Sequence, residues 1–375
     1  MTSSPTASAS RRRKVAVIMG GASGEHSISL RSAAAVCDAL TAGGHEVSVL
    51  GITRAGDWRT GDFSGLLESA RSGLVEIDQA AGIPVTLART PAGIETVALD
   101  RGTSSAQGVI DCVFPIVHGP GGEDGSLQGF LELLGVPFVG AGCRASAIAM
   151  DKIATKVLCA GAGIAQVDFV DVTDRSTNQV RSDLESSFGY PCFVKPSALG
   201  SSVGISKVCA PDELQSALDE ARRWDRRVII EQGRDVREIE LALLGEDEPA
   251  FSIAGEIIVP GGFYDFDSKY VGDNAELIAG AELEPAQLEA MKQIARKYWS
   301  LIGCSGMARA DFFLDRATGE VLFNEFNTIP GFTAISMYPR LWRETGIELD
   351  ALVSRLVELA LLSASPAENR RAATA

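Results

Sequence analysis

Basic charge is in short supply. The 375-residue chain sets 34 Lys and Arg against 49 Asp and Glu, a formal net charge of −15. That deficit excludes non-specific nucleic-acid binding, which depends on neutralising phosphates. Aromatic residues are few, at 6%, and 46% hydrophobic content suits a soluble α/β enzyme. No stretch approaches the roughly 20 apolar residues of a membrane helix, so no membrane partner is expected. The seven cysteines contain no C-x-x-C and no regular spacing. They read as reduced, mostly buried thiols in a cytoplasmic protein. No internal repeat is visible. The basic residues 11–14 lead into VAVIM, a run that breaks at Gly20-Gly21 and is too short for a secretion-signal core. Residues 1–13 and 363–375 have the composition of disordered tails.

What is present begins with KVAVIM (14–19), an unbroken β-type run of the kind found in a buried parallel strand. A Gly-rich turn follows, and then SISLRSAAAVCDAL at helical period, stopping at Gly43-Gly44. Strand, turn and helix make the first half of a βαβ unit. The turn is not the G-x-G-x-x-G dinucleotide fingerprint, and an ordinary βα turn is the plain alternative. Glu25 stands out, because a carboxylate there can bind a substrate ammonium. His26 can simply cap or pack. Residues 46–52 are the next strand, whereas 53–108 carry no assignable pattern and decorate the first domain. DCVFPIV (111–117) is another buried strand, ending in HGPGGEDG. Ligands of open α/β sheets bind at the carboxyl ends of strands, so this loop is a candidate site wall. SLQGFLELLG then reads as a helix and VPFVG as a strand.

Residues 145–162 are helical, with Lys152 and Lys156 four apart on one face. They are either a solvated pair or, for Lys152, a phosphate ligand. PCFVKPSALGSSVGISKV (191–208) delivers Lys195 on a strand, carries Gly200, Ser201 and Ser202 in a loop, and leaves as the strand VGISKV. Backbone N–H groups of such a loop can cradle phosphate, with Lys195 as a point charge. It lacks G-K-[ST], so it is not a Walker A loop, and an ordinary hairpin is the alternative. VIIE (228–231) is a buried strand ending in Glu231, followed by VREIELALLG, which aligns Glu238 and Glu240 on one face. GGFYDFDSKY (261–270), Gly-started, polar and aromatic, has the composition of a lid.

The densest chemistry lies in residues 307–337. ARADFFLD and EVLFNEFN flank Arg316-Ala317-Thr318-Gly319, a hairpin signal. Alternation puts Arg309 and Asp311 on one face, and Phe323, Glu325 and Asn327 on one face of the second strand. Pairing Leu314 with Leu322 sets Asp311 opposite Glu325. Burying these groups without a ligand costs roughly several kcal/mol per unpaired charge. The bland alternative is an exposed face with one Arg–carboxylate pair. The sharper reading is a hard-cation site. Asp311, Glu325 and Asn327 offer only oxygens, which suits Mg²⁺ shared with phosphates and not zinc or iron. Arg309 beside it suits a clamp on a transferring phosphoryl group.

Taken together, GGASGEHSISLRSA, HGPGGEDGSLQG, MDKIATK, FVKPSALGSSVGISKV, GGFYDFDSKY and ARADFFLD…NEFNTIPGFTAISMYP resemble the D-alanine–D-alanine ligases of the ATP-grasp superfamily. The resemblance runs from about residue 14 to 362 and is weakest over 53–108. It implies an α/β (α+β) ATP-grasp fold behind a Rossmann-like parallel-sheet domain at 14–140. The central subdomain would span 141–231, and the C-terminal one 232–362 with lid and hairpin. It implies a cytoplasmic homodimer using small-molecule substrates, ATP and two Mg²⁺ or Mn²⁺ ions to make cell-wall dipeptide.

Residue by residue, Lys152 and Lys195 would contact phosphates, with Ser201 and Ser202 in the loop over them. Glu231 would sit at the adenine hinge and Glu238 at the ribose, and Asp311, Glu325 and Asn327 would hold the metals. Arg309 and the Gly331 backbone would stabilise the oxyanion. Glu25 would bind the first ammonium with His118 near that amino acid. Ser336, Met337 and Lys269 would meet the second substrate. Glu25, Ser201 and Tyr270 would bond together under the closed lid. A sister ligase using D-lactate or D-serine is the nearest alternative. Gly121, where an aromatic is common, and Ser268, where Ala is common, bear on substrate preference. No Ser/Cys–His nucleophile pair is needed, and none is apparent.

Overall fold

The computed structural model describes residues 12–99, 108–258 and 276–364. The lid segment 261–270, with Lys269 and Tyr270, lies outside them, as does most of each tail. The unbroken apolar run at the start becomes β1 (Lys14–Gly20), buried at six consecutive positions. Such a run needs cover on both faces. β1 receives it as the inner strand of a parallel trio with β2 (Glu46–Ile52) on one side and β7 (Cys112–Pro115) on the other. Helix α1 (His26–Ala42) lies against β1. The parallel expectation therefore holds for three strands.

The segment without a legible pattern supplies the rest. β3 (Trp58–Thr60), β4 (Ile83–Thr90), β5 (Gly93–Ala98) and β6 (Val109–Ile110) extend the same sheet by antiparallel pairing, in the order β6-β5-β4-β3-β2-β1-β7. These strands are short and half-exposed, so they carry little apolar signal. VPFVG does not form a strand. It makes one isolated bridge, Val113 to Phe138, and Pro137 inside it has no N–H for a ladder.

A second, antiparallel sheet runs β10-β9-β11-β8, built from Ser206–Val208, Cys192–Pro196, Val228–Gln232 and Phe169–Asp171. Only the last three residues of VGISKV are strand. A third sheet runs β14-β13-β12-β15-β16, from Glu276–Ala279, Ala250–Ile258, Val236–Gly245, Gly306–Asp315 and Val321–Asn327. Its far face is covered by the helix Pro285–Ile302, whose buried stripe Met291, Ala295, Tyr298, Trp299 and Ile302 follows helical spacing. Pro285 opens this helix and Gly303 closes it in the left-handed conformation. Tyr298 packs on Phe323 at 4.7 Å between ring centroids.

One continuous apolar cluster joins the first and third sheets. It runs from Val17 and Leu40 through Phe332, Tyr338 and Trp342 to Leu356. The turn after the hairpin is thereby clamped between two sheets, which fixes the backbone around Gly331.

Candidate active site

The loops of all three sheets face one cavity of ≈ 280 Å³. Glu25, His118, Lys152, Lys195, Ser201, Ser202, Glu231, Glu238, Arg309, Asp311, Glu325, Asn327, Gly331, Ser336 and Met337 all line it. Of the residues singled out in the sequence, Ser268, Lys269 and Tyr270 lie outside the described residues.

At one end stands Glu25. The chain turns sharply to reach it: Gly20 and Gly21 have φ of +91° and +101°, and a Cβ on Gly20 would lie 2.2 Å from the Ile52 carbonyl. Only glycine tolerates both demands. The Ser23 hydroxyl donates to the His118 carbonyl (2.6 Å) and accepts from the Glu25 N–H (3.2 Å), tying the two loops together. A Cβ on Gly119 would come 2.7 Å from Glu25 Oε2. From across the cavity the Ser201 hydroxyl donates to the Glu25 carboxylate. Ser201 and Ser202 both have positive φ, 50° and 58°. Two successive non-glycine residues there cost on the order of 1 kcal/mol each.

His26 and His118 do different jobs. His26 is fully buried; its Nδ1 donates to the Gly21 carbonyl (2.6 Å) and its Nε2 accepts from the Ile77 N–H (3.1 Å). That pattern needs the neutral ring, and burial keeps its pKa below the usual histidine value. The neutral form is thus the one folding selects. Its stabilisation is complete above the unfolded pKa of roughly 6.5 and is lost as pH falls through the folded value. Melting temperatures of the wild type should drop more steeply than those of His26→Gln between about pH 7 and about pH 5. Parallel curves would show that His26 does not carry this dependence.

His118 sits between Glu123 (Nδ1 to Oε1, 3.2 Å) and Ser32 (Nε2 to Oγ, 3.0 Å), and Ser32 Oγ accepts from the Phe332 N–H (3.3 Å). Ser32 and His118 are therefore in contact. The contact is a buried brace with Ser32 fully covered, not an accessible nucleophile. Burial works against the imidazolium, but the carboxylates of Glu123 and Glu25 outweigh it and raise the pKa.

Cations line the same cavity. Lys152 opens the helix Lys152–Ala162, which Asp151 caps by accepting from Ala154 N–H. Its Nζ donates to the Leu199 carbonyl at 2.6 Å and lies 3.8 Å from Glu325 Oε2. Lys195 on β9 faces Ile229 on β11, and Glu231 two residues on shares that face, so Lys195 Nζ reaches Glu231 Oε2 at 2.6 Å.

The hairpin brings its four groups together, but by a different register from the expected one. Leu314 pairs with Val321, not Leu322, and a bulge between Asp311 and Phe312 then shifts the ladder by one. The extra residue is Asn324 on β16. It restores the pairs Asp311–Glu325 and Arg309–Asn327. It also turns Phe323 into the core, away from the face it was assigned to. The Arg309 fork holds both Asp311 oxygens at 2.7 Å and lies 3.0 Å from Glu240 Oε1. Burial opposes its charge, yet Asp311 and Glu240 push its pKa up well beyond the usual value. After the hairpin, a Cβ on Gly331 would sit 2.7 Å from Ser336 Oγ, which accepts from Thr333 N–H (3.1 Å). Ser336 precedes the helix Met337–Glu344, whose N-terminus meets the cavity.

Family models described as the D-ala D-ala ligase N-terminus and C-terminus match residues 14–141 and 158–358. The chain belongs to the D-alanine–D-alanine ligase family. A ligase so named from Thermoanaerobacter sp. (strain X514) is 42% identical, covering 94% of this chain and 97% of its own. D-alanine–D-alanine ligase A of Escherichia coli (strain K12) is 41% identical, covering 93% and 95%. Among solved structures, the D-alanine-D-alanine ligase from Coxiella burnetii superposes with a TM-score of 0.81 at 34% identity, over 97% of each chain. VanG D-Ala:D-Ser ligase from Enterococcus faecalis gives 0.80 at 32%, over 93% of this chain and 100% of that one. These similarities make the chain an ATP-dependent ligase with an ATP-grasp fold.

In this ligase the face of Asp311, Glu325 and Asn327 fits a hard cation by donor chemistry: two carboxylates and an amide oxygen, without nitrogen or sulfur. Among the described residues no group of three or more His, Cys, Asp or Glu forms a cage, so phosphate and water oxygens would complete any shell. No described helix is long and apolar enough to cross a membrane. The sequence reading missed Arg31, which lines the cavity with its Nε buried and without a hydrogen-bond partner among the described residues. Its one signal was position: it lies one turn after Ile28 on the helix that starts beside Glu25. Ser32 had no signal, because its role exists only once distant segments meet.

Proposed function

We propose that this chain joins two D-alanines through a D-alanyl phosphate, at the cost of one ATP. The observation that carries the reading is a single cavity that brings together a carboxylate at Glu25 and cations at Lys152, Lys195 and Arg309. A zwitterionic amino acid enters with its ammonium on Glu25, near His118, and its carboxylate toward those cations. One carboxylate oxygen attacks the γ-phosphorus, ADP leaves, and a mixed anhydride forms. The amine of the second amino acid, having lost a proton, attacks the carbonyl carbon. The tetrahedral intermediate collapses to dipeptide and phosphate.

Lys152 and Lys195 hold the phosphates under the Ser201–Ser202 loop, Glu238 meets the ribose, and the link at Glu231 meets adenine. Arg309 and the Gly331 N–H face the developing oxyanion. Ser336, Met337 and Lys269 receive the second carboxylate. Tyr270 would join Ser201 and Glu25 to exclude water, because acyl phosphates hydrolyse. Two Mg²⁺ or Mn²⁺ ions on Asp311, Glu325 and Asn327 would supply charge neutralisation of the phosphates. The proposal takes 14–140, 141–231 and 232–362 as the domains, and a cytoplasmic homodimer as the working form.

D-Serine as second substrate is the competing reading, favoured by the likeness to a D-Ala:D-Ser ligase. The deciding experiment offers equal D-alanine, D-serine and D-lactate with ATP, from about pH 6 to about pH 9, and identifies products by mass. D-Alanyl-D-alanine should dominate at neutral and mildly alkaline pH, where more of the amine is unprotonated. Mainly D-alanyl-D-serine or depsipeptide would overturn the substrate assignment.

A further inference from the structure

Lys156 is the most deeply buried charged side chain in the described structure, 1% exposed, and the mechanism above does not use it. It lies one helical turn after Lys152 but does not line the cavity. Its charged neighbour is Glu231 Oε1 at 3.3 Å. The other oxygen of that carboxylate holds Lys195 at 2.6 Å. Glu231 is itself 3% exposed. One buried carboxylate is thus shared by two ammonium groups, of which only Lys195 faces the ligand. Burial pulls the Lys156 pKa down. For Glu231, burial would raise the pKa, but the two lysines bring it to about 2.

The arrangement solves a problem of exchange. Lys195 is paired to Glu231, so it must loosen that pair to serve a phosphate. With Lys195 as sole partner, loosening would strand a buried carboxylate, which is strongly unfavourable. We infer that Lys156 is a positioning residue: it stays on Glu231 as standing counter-ion while Lys195 transfers from Glu231 to a nucleotide phosphate. The inference rests on the reading of Lys195 as a phosphate ligand.

The test compares ADP and adenosine binding to the full chain by calorimetry, together with the KM for ATP and for D-alanine. In Lys156→Met, ADP affinity should fall and the KM for ATP rise by about tenfold or more, with adenosine affinity and the KM for D-alanine within about twofold. Lys156→Arg should recover most of the loss. The companion cycle keeps the test open if Lys156→Met folds poorly. Once Glu231→Gln has removed the carboxylate, adding Lys156→Met should change ADP affinity by less than about twofold. Equal weakening of ADP and adenosine, or the same loss of ADP affinity in the Glu231→Gln background, would overturn the role of Lys156. A separate control isolates the underlying reading: if Lys195→Met leaves ADP affinity intact, Lys195 is not a phosphate ligand and the exchange does not occur.

Discussion

Arg309→Lys is expected to lower kcat by about 10²–10³ while moving the KM for ATP by less than about threefold. The reason is shape as much as charge. Asp311 and Glu240 both meet the guanidinium at Nε, at 2.7 and 3.0 Å, and Asp311 also takes Nη2 at 2.7 Å. A planar fork so fixed can still present a further N–H edge to an acyl or phosphoryl oxygen. An ammonium is a point donor on a flexible stem and cannot reproduce that geometry. Steady-state kinetics with ATP and D-alanine varied separately would separate the two parameters. A rise in KM at unchanged kcat would make Arg309 a binding residue with no special part in the transition state.

The hairpin carboxylates should matter at least as much. Asp311→Asn and Glu325→Gln each keep size and hydrogen-bonding capacity but remove a charge from the oxygen face. Turnover should fall by about 10²-fold or more, and the Mg²⁺ concentration needed for half-maximal rate should rise. The fold should survive, because Asp311 and Glu325 face the cavity and not the aromatic cluster of Tyr298, Phe312, Phe323 and Phe326. Near-normal turnover of both variants at limiting Mg²⁺, with unchanged circular dichroism, would remove the cation from this face.

How far the sequence could be read depended on whether its signals were local. β1 was legible because a strand covered on both faces must be apolar throughout. The antiparallel extension over 53–108 was not, since short half-exposed strands owe their pairing to neighbours. The hairpin is the instructive case. Alternation with an assumed Leu314–Leu322 pair put Asp311 opposite Glu325, and they do face each other, but only because the bulge at Asn324 cancels a one-residue offset nearer the turn. No period-2 argument can see a bulge, so Phe323 was assigned to the wrong face. Lys152 and Lys156 looked like one pair on a helix. Tertiary context separates them, one lining the cavity and one wholly enclosed behind Glu231.

Isotope transfer from the first substrate tests the acyl-phosphate route most directly. D-Alanine labelled with ¹⁸O in its carboxylate is converted with unlabelled ATP, and phosphate and dipeptide are analysed by mass. The attacking carboxylate oxygen becomes the bridge to phosphorus and leaves with it. The expected result is one ¹⁸O in the phosphate for each dipeptide formed, with ADP unlabelled. Unlabelled phosphate, or label appearing in a nucleotide monophosphate, would contradict transfer of the γ-phosphoryl group to the carboxylate.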